Sequence, residues 1–263
     1  MHYSFYSDDP KKFLDVINSS GKVEIVPPGT LKAGIVTHHF LASAMMADFF
    51  KYINSAASPK TIILIGPDHY DKGIYPLSVS SLPWKTPFGM LNANKRITEN
   101  IKNELSLKED NEAFSGEHSI GILVPFIKYY FPKSEVVPIL IRADAPKYYI
   151  DRLAKAISRD FGSSDTFIIL SMDFSHDSDL KEAERRDDAS KSAITRLKSK
   201  GIDKLRVDCP KGLYLLVSLL EKMDNIRVYF RDHSNSEAIS KKKDLDNVTS
   251  YFTVLFLQAG LFK

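Results

Sequence analysis

The chain has 263 residues, of which 43% are hydrophobic and 26% are charged, enough to bury a sizeable core. Its net charge is only +3, and the charges are spread without long basic blocks, so nucleic acid is not expected as a partner. No apolar run reaches the length of a membrane span, and the charged N-terminus excludes a signal peptide. The single cysteine, Cys209, excludes an intrachain disulfide. We therefore predict a cytoplasmic protein without a membrane partner.

Apolar runs alternate with helical periods along the chain. The pattern predicts strands at 33–36, 60–66, 135–141 and 166–171, and two more at 225–230 and 250–259. Helices are predicted from Leu41 onward and at 119–131, 147–161 and 210–223; Pro125 weakens the second of these, and Pro138 suggests an edge or irregular strand. Strands separated by helices predict an α/β fold with a largely parallel sheet covered on both faces. No linker or repeat divides the chain, so one domain over residues 1–263 is expected.

Histidines follow three of the predicted strands. His38 and His39 come after the first, Asp68 and His69 after the second, and Asp173 to His176 after the strand that begins at Thr166. In open parallel sheets, ligands bind outside the carboxyl ends of the strands, where residues distant in sequence converge. We therefore expect these side chains to share one site.

A metal centre is the chemistry that this pattern indicates. Imidazole nitrogens bind iron, copper and zinc, and a thiolate adds preference for softer ions. Cys209 directly precedes a predicted helix, whose N-terminus would stabilise a thiolate. His38, His69 and Cys209 would form a three-ligand set. The spacing alone leaves the alternative of hydrogen-bonded loop histidines and an inert buried thiol.

The order of motifs resembles the Memo family, which includes the prokaryotic proteins called AmmeMemoRadiSam system protein B. The resemblance covers nearly the whole chain and rests on these segments: YSFYSDDPKKFL, GIVTHHFLAS, IILIGPDHY, WKTPFGMLN, GEHSIGILVPFIKYYFP, VVPILI, ILSMDFSHD, the lone Cys209, DHSNS and VTSYFTVLF. The family is similar in fold to class III extradiol dioxygenases, which use non-haem iron(II) to open catechol-type rings with molecular oxygen. The resemblance thus implies a three-layer αβα sandwich with a mostly parallel or mixed sheet and one deep pocket.

The family's site residues can be carried over by position. His38 matches the histidine of the first motif, His69 that of the GPxH motif and Cys209 the family's cysteine, which together bind iron or copper in family members. The resemblance implies iron(II) first, with copper or zinc as alternatives.

Further residues match motifs that line the family's pocket. Asp173 and His176 match the family's SDFxH motif, whose histidine corresponds in position to the acid/base histidine of the ring-opening enzymes. Because imidazole titrates near neutrality, the resemblance implies that His176 transfers protons, and Asp173 would orient it or contact the metal. Glu117 and His118 would hydrogen-bond to ligands, although a cap pair at a helix start explains them equally well.

Two features depart from the patterns that this resemblance implies. The dioxygenases bind iron with two histidines and a carboxylate, whereas here a cysteine takes that place, and a thiolate oxidises easily. The first motif reads THHF, so His39 competes with His38 as a ligand; the ungapped match favours His38.

The sequence is compatible with two classes of function. The first is a metal-dependent oxygenase or redox enzyme acting on a small phenolic or aromatic molecule, which does not follow from the fold alone. The alternative is a binding protein that captures metal ions or a peptide or protein partner without turnover. A zinc hydrolase is less favoured, because no separate glutamate base stands out. The AmmeMemoRadiSam name implies a radical SAM protein as a partner.

Overall fold

The computed structural model describes residues 1–21, 27–243 and 247–260. A seven-stranded sheet lies at the centre of this part of the chain. In chain order its strands are β2 (Thr30–Val36), β3 (Thr61–Pro67), β4 (Leu77–Val79), β7 (Glu135–Ile141), β8 (Thr166–Ser171), β9 (Ile226–Asn235) and β10 (Ser250–Gln258). A separate three-stranded sheet contains β1 (His2–Tyr3), β5 (Trp84–Thr86) and β6 (Gly89–Leu91).

The central sheet is mixed. Its spatial order is β4-β7-β3-β8-β2-β10-β9, and the four strands from β7 to β2 run parallel. β4 pairs antiparallel with β7, and β10 pairs antiparallel with both β2 and β9. The carboxyl ends of the adjacent strands β3, β8 and β2 therefore lie side by side at one edge of the sheet.

Helices cover both faces of this sheet. In chain order they are α1 (Pro10–Ser19), α2 (Ser43–Ala56), α3 (Lys95–Leu105), α4 (His118–Gly121), α5 (Val124–Tyr130), α6 (Lys147–Phe161), α7 (Leu180–Thr195), α8 (Pro210–Leu220) and α9 (Ser236–Ser240). Short 3-10 turns span Phe40–Ala42, Glu112–Phe114 and Ile202–Lys204. Among the described residues, none of these helices combines the length and the apolar character that a membrane span needs.

The alternation of side chains along each strand creates two apolar cores. In β3, Ile63 and Ile65 face a core shared with α3, α6 and α8, whereas Ile62 and Leu64 face a second core shared with α1, α2 and α5. Successive strand residues point to opposite faces, so continuous apolar strands are buried on both sides. The α/β fold with a three-layer arrangement is thus confirmed.

Most predicted elements occur where the sequence places them. The strands at 135–141 and 166–171 and the helix at 147–161 have the predicted bounds. The helix predicted over 119–131 is divided into α4 and α5, with Pro125 in the first turn of α5, where its missing N–H costs no hydrogen bond. Pro138 lies in a strand with neighbours on both sides, but β4 pairs only with residues 139–141 of that strand. β7 is therefore an interior strand rather than an edge strand, and β4 ends before it reaches Pro138.

A close approach between β3 and α4 shapes the edge where the predicted site lies. A Cβ atom on Gly66 would come within 2.6 Å of the Ser119 hydroxyl oxygen. Only glycine leaves room there for the start of α4, since any larger residue would push the helix away. Gly66 thereby lets Glu117, the N-cap of α4, reach the loop that carries His69.

Candidate metal centre

Two loops that follow parallel strands of the central sheet bring His38 and His69 together. His38 follows β2 and His69 follows β3, and their rings lie 4.9 Å apart between centroids. His118, the first residue of α4, stacks on His69 at 4.1 Å. The convergence expected at the strand ends therefore occurs for His38 and His69, and His118 joins them from a helix start.

A buried hydrogen-bond chain defines the tautomer of His38. The Ser171 hydroxyl, at the end of β8, donates to the backbone oxygen of Ser119 at 2.5 Å and lies 2.9 Å from Nδ1 of His38. Because a hydroxyl has one proton, it can only accept from His38, so Nδ1 carries the hydrogen. The lone pair of neutral His38 is therefore on Nε2.

Glu117 orients His69 in the same way. Its carboxylate lies 2.9 Å from Nδ1 of His69 and also accepts hydrogen bonds from the backbone N–H groups of His69 and Ser119. Burial raises the pKa of Glu117, but its hydrogen bond to His69 and those from the backbone outweigh this and lower it, so Glu117 is ionised and accepts from Nδ1–H. A carboxylate behind Nδ1 is the usual support of a metal-binding imidazole.

Asp208 lies where the two Nε2 atoms converge. One of its carboxylate oxygens is 3.1 Å from Nε2 of His38 and 3.7 Å from Nε2 of His69. Both oxygens are buried, and neither has a hydrogen-bond partner among the described residues. A buried carboxylate needs a cationic partner, which either a metal ion or protonated histidines would supply.

The pKa shifts show how the charges of these neighbouring side chains balance one another. Burial would lower the pKa of His69, but the nearby carboxylates of Asp208 and Glu117 outweigh it and raise the pKa to about 9. Burial likewise opposes the charged form of Asp208, yet His38 and His69 lower its pKa. His118 is the exception: burial and the charges of His38 and His69 lower its pKa to about 4, so it is neutral.

Two sets of side chains place ligand atoms within 4.8 Å of one another in the described part of the chain. One contains His38, His69 and His118, and the other contains His38, Asp173 and Asp208. His38 belongs to both sets and is 2% exposed. The cluster is thus a histidine–aspartate site that could hold a metal ion. We call these five residues the His/Asp cluster.

Asp173 and His176 follow β8 on the same side of the sheet. One oxygen of Asp173 accepts a hydrogen bond from the Thr37 hydroxyl, and the other is 3.9 Å from Nε2 of His38. His176 is half-buried, and its Nδ1 lies 3.5 Å from the Thr249 hydroxyl. Its Nε2 is buried without a partner among the described residues. A proton-transfer role for His176 stays a prediction.

His39 and Asp68 have other contacts. Nδ1 of His39 lies 2.6 Å from the buried Tyr251 hydroxyl, and no atom of His39 belongs to the two convergent sets. Asp68 accepts hydrogen bonds from the backbone N–H groups of Lys72 and Gly73, so it shapes the loop after β3. His118 lies 3.2 Å from the Tyr70 hydroxyl.

Cys209 is the N-cap residue of α8, but its environment differs from the one expected. It is 2% exposed and packs in the apolar core that contains Leu170 and Leu213. Burial, together with the nearby Asp208, raises the pKa of the thiol, so the effect of the helix N-terminus does not prevail. Its sulfur belongs to neither convergent set of the described residues. Its role as a metal ligand stays a prediction.

The sequence reasoning missed Asp208 and Ser171. Asp208 directly precedes the candidate ligand Cys209. The backbone N–H of Asp208 donates to the backbone oxygen of Asp173, which places Asp208 opposite the end of β8. An acidic residue one position before a candidate ligand at a helix start was the available signal. Ser171 is the last residue of a predicted strand and offers no signal of its own, because its role depends on Ser119 from another element.

Comparison with known proteins identifies the family. The family model described as "Memo-like protein" matches residues 3–255. The chain belongs to the Memo-like family. A MEMO1 family protein of Sulfurisphaera tokodaii is 29% identical over 96% of both chains. One of Pyrobaculum aerophilum is 26% identical over 96% of this chain and 95% of its own length, and one of Caldivirga maquilingensis is 35% identical over 58% and 56%.

Among solved structures, an uncharacterized protein of Escherichia coli K12 is similar to this Memo-like chain. The likeness has a TM-score of 0.57 at 12% sequence identity and covers 88% of this chain and 100% of the other. At this identity it shows the fold alone.

Proposed function

We propose that this Memo-like protein binds a single transition-metal ion through Nε2 of His38, Nε2 of His69 and the carboxylate of Asp208. The observation that carries the proposal is the pair of imidazoles whose Nδ1–H groups are held by Ser171 and Glu117, so that both lone pairs face one buried carboxylate. His118 and Asp173 lie close enough to complete or adjust the ligand set.

The donor set fits the metals expected for the family. Two imidazoles and one carboxylate suit iron(II) in non-haem sites that keep open positions, and imidazole also suits copper and zinc. Asp208 thus supplies the carboxylate that dioxygenase sites contain and that a ligand set with Cys209 lacks. Iron(II) is therefore the first candidate. A bound iron ion would supply Lewis-acid and one-electron chemistry.

We further propose an oxidoreductase acting on a small, phenolic or aromatic molecule. His176 lines a cleft together with His69 and Asp208. Its imidazole would take a proton from a bound hydroxyl group and return it later, since an imidazole ring can both accept and donate a proton. Asp173 holds Thr37 and lies beside His38, so its task is to orient the cluster.

Metal uptake by matched variants tests the ligand set. Protein purified without chelators is loaded with iron(II), zinc or cobalt(II), and we expect about one equivalent per chain. His69→Gln and Asp208→Asn should lose the ion, whereas His233→Gln, a histidine outside the cluster, should retain it. Circular dichroism spectra establish that each variant is folded.

Cobalt(II) distinguishes Asp208 from Cys209 as the third ligand. A thiolate bound to cobalt gives an intense sulfur-to-metal charge-transfer band that carboxylate and imidazole ligands do not give. We expect no such band, and unchanged metal uptake in Cys209→Ser. A band that disappears in Cys209→Ser would replace Asp208 by Cys209 in the ligand set. Failure of the wild-type protein to bind any of these ions would contradict the metal centre itself.

Oxygen consumption separates an enzyme from a binding protein. The iron(II)-loaded protein is mixed under oxygen with catechol and with 3,4-dihydroxybenzoate, a catechol that carries a carboxylate, with His176→Asn as the comparison. Turnover that falls in His176→Asn supports the enzyme, whereas metal binding without turnover favours the alternative of a binding protein that holds a metal or a partner, such as a radical SAM protein.

A further inference from the structure

A cleft of about 550 Å³ opens beside the His/Asp cluster. His69 and Asp208 belong to the cluster and line the cleft, and His176 lines it as well. Two arginines, Arg186 and Arg206, line it too. This volume lies within the range of small-molecule sites. We call it the arginine cleft.

The two guanidinium groups have donors to spare. Nε of Arg186 donates to Glu182 at 2.8 Å, and its Nη1 donates to the backbone oxygen of His176 at 3.0 Å, which leaves Nη2 without a partner among the described residues. Arg206 is exposed, and no hydrogen bond or ion pair engages its guanidinium within the described part of the chain. Arg186 is therefore held in place at the cleft while Arg206 is free to move onto a ligand.

The charges that face the cleft favour an anion. The carboxylates that line it are Asp177, which is exposed, and Asp208, which faces the imidazoles of His38 and His69. Arg186 is paired with Glu182, but Arg185 binds the same carboxylate, so positive charge remains in excess at the cleft. Guanidinium groups bind carboxylates and phosphates through paired hydrogen bonds, which gives both strength and a fixed orientation.

An unpartnered imidazole nitrogen adds a second polar contact. Nε2 of His176 is buried, yet it has no hydrogen-bond partner among the described residues. Buried polar atoms normally find one, and a ligand in the cleft would provide it. One molecule in the cleft would then contact the two arginines, His176 and the His/Asp cluster.

We propose that the arginine cleft binds small molecules bearing a carboxylate or phosphate group, which Arg186 and Arg206 hold while another polar group of the same molecule faces His176 and the His/Asp cluster. The second half of this statement rests on the proposed metal-dependent function, whereas the anion site itself does not. The substrate class that follows is an anionic ring compound rather than a neutral phenol.

Three probes of similar size test the proposal: benzoate, phenyl phosphate and phenol. Their dissociation constants are measured by calorimetry on the zinc-loaded and the metal-free protein. We expect at least one anionic probe to bind about tenfold or more tightly than phenol in both forms, because phenol lacks the charge-assisted bonds. The anion that binds more tightly shows whether the cleft prefers a carboxylate or a phosphate group.

Variants assign this preference to the arginines. Arg206→Gln should lower the anion preference about tenfold, and Arg186→Lys should lower it less, because a lysine keeps the charge but not the paired geometry. Arg159→Gln, an exposed arginine near the end of α6 and outside the cleft, is the matched control and should bind as the wild type does.

The outcomes separate the two proposals. Equal affinities for phenol and both anions, no binding of any probe, or an anion preference that survives in Arg206→Gln would overturn the anion site. Zinc content is measured in the same samples. Loss of zinc binding with an intact, Arg206-dependent anion preference would contradict the metal centre and leave the anion site standing.

Discussion

At the scale of single residues, the site depends on groups that never touch the proposed metal. Ser171 accepts from His38 only because its own proton is donated to Ser119, and Glu117 is held by two backbone N–H groups while it accepts from His69. Each imidazole is thus presented in one tautomer and one orientation. Removing such a supporting contact commonly lowers metal affinity about 10- to 100-fold.

Ser171→Ala tests this support. The change removes the acceptor behind His38 and leaves the ligand atoms in place, so we expect the affinity for zinc to fall about 10- to 100-fold. Competition with a chromogenic chelator measures it. Ser218→Ala, a buried serine of α8 that bonds within its own helix, is the control. Equal affinities in the wild type and Ser171→Ala would show that the hydrogen-bond chain does not prepare His38.

At the scale of elements, Asp187 joins α7 to β10 and β9. Its buried carboxylate accepts hydrogen bonds from the Ser175 hydroxyl at 2.7 Å and the Ser250 hydroxyl at 2.6 Å, and it lies 2.9 Å from Nε2 of His233. The ring of His233 stacks on Phe252 at 4.0 Å. Asp187 therefore anchors the loop after β8, which carries Asp173 and His176.

Asp187→Ala should destabilise the fold by about 2 to 4 kcal/mol, because it removes the acceptor of the buried Ser250 hydroxyl and the shorter hydrogen bond of the Ser175 hydroxyl. Asp187→Asn should cost less, since its amide oxygen still accepts. The free energy of unfolding in urea measures both. Asp188→Ala, at the exposed neighbouring position, should change stability by less than about 0.5 kcal/mol. A similar effect at both positions would contradict the anchoring role.

The small sheet contains a buried imidazole that predicts acid sensitivity. His2 lies in β1, packs against the rings of Trp84 and Phe114, and is 2.7 Å from the Ser80 hydroxyl. Burial, with the N-terminal ammonium group, lowers the pKa of His2 to about 4. The unfolded chain therefore binds a proton at higher pH than the folded chain does.

This difference in pKa makes the folded protein less stable in acid. As the pH falls from about 6.5 towards 4, the unfolded state takes up a proton that folded His2 refuses, so stability is lost over that window by up to about 3 kcal/mol. Urea unfolding at a series of pH values measures the loss. His2→Gln should show a flatter pH profile, and an identical profile in the two proteins would refute the role of His2.

At the scale of the whole molecule, the cluster links elements that are distant in sequence. His38, His69, Asp173 and Asp208 come from loops that follow β2, β3 and β8 or precede α8, and an ion shared by these loops would bind the folded state only. At a concentration 100 times its dissociation constant, such a ligand stabilises the fold by about 2.7 kcal/mol.

Zinc should therefore raise the thermal midpoint of unfolding by about 5 to 10 °C, since about 1 kcal/mol corresponds to about 2 to 4 °C for chains of this size. Scanning calorimetry of the zinc-loaded protein, before and after excess EDTA, measures the shift and its reversal. His69→Gln should show neither. An unchanged midpoint in the wild type would mean that the ion does not bind the folded cluster.

The hydrophobic pattern was sufficient to predict the main strands and helices, but it missed several others. The continuous apolar strands 135–141 and 166–171 and the periodic helix 147–161 lie where expected, because their local signals agree with their burial. The amphipathic helices α1 and α3 and the largely polar helix α7 were not predicted. Strand β1 was not predicted either, because two residues have no period and depend on pairing with β5.

The sequence by itself determined the family, the α/β class and the loops in which His38, His69 and His176 would lie, because strand ends and motif order are local properties of the chain. Only the tertiary structure decided that Asp208 faces both histidines while Cys209 turns into the apolar core. Adjacent residues at a helix start point in different directions, and which of them reaches a site depends on how the helix packs against the sheet. Tautomers and pKa values likewise depend on Ser171 and Glu117, which the fold brings to the histidines from other elements.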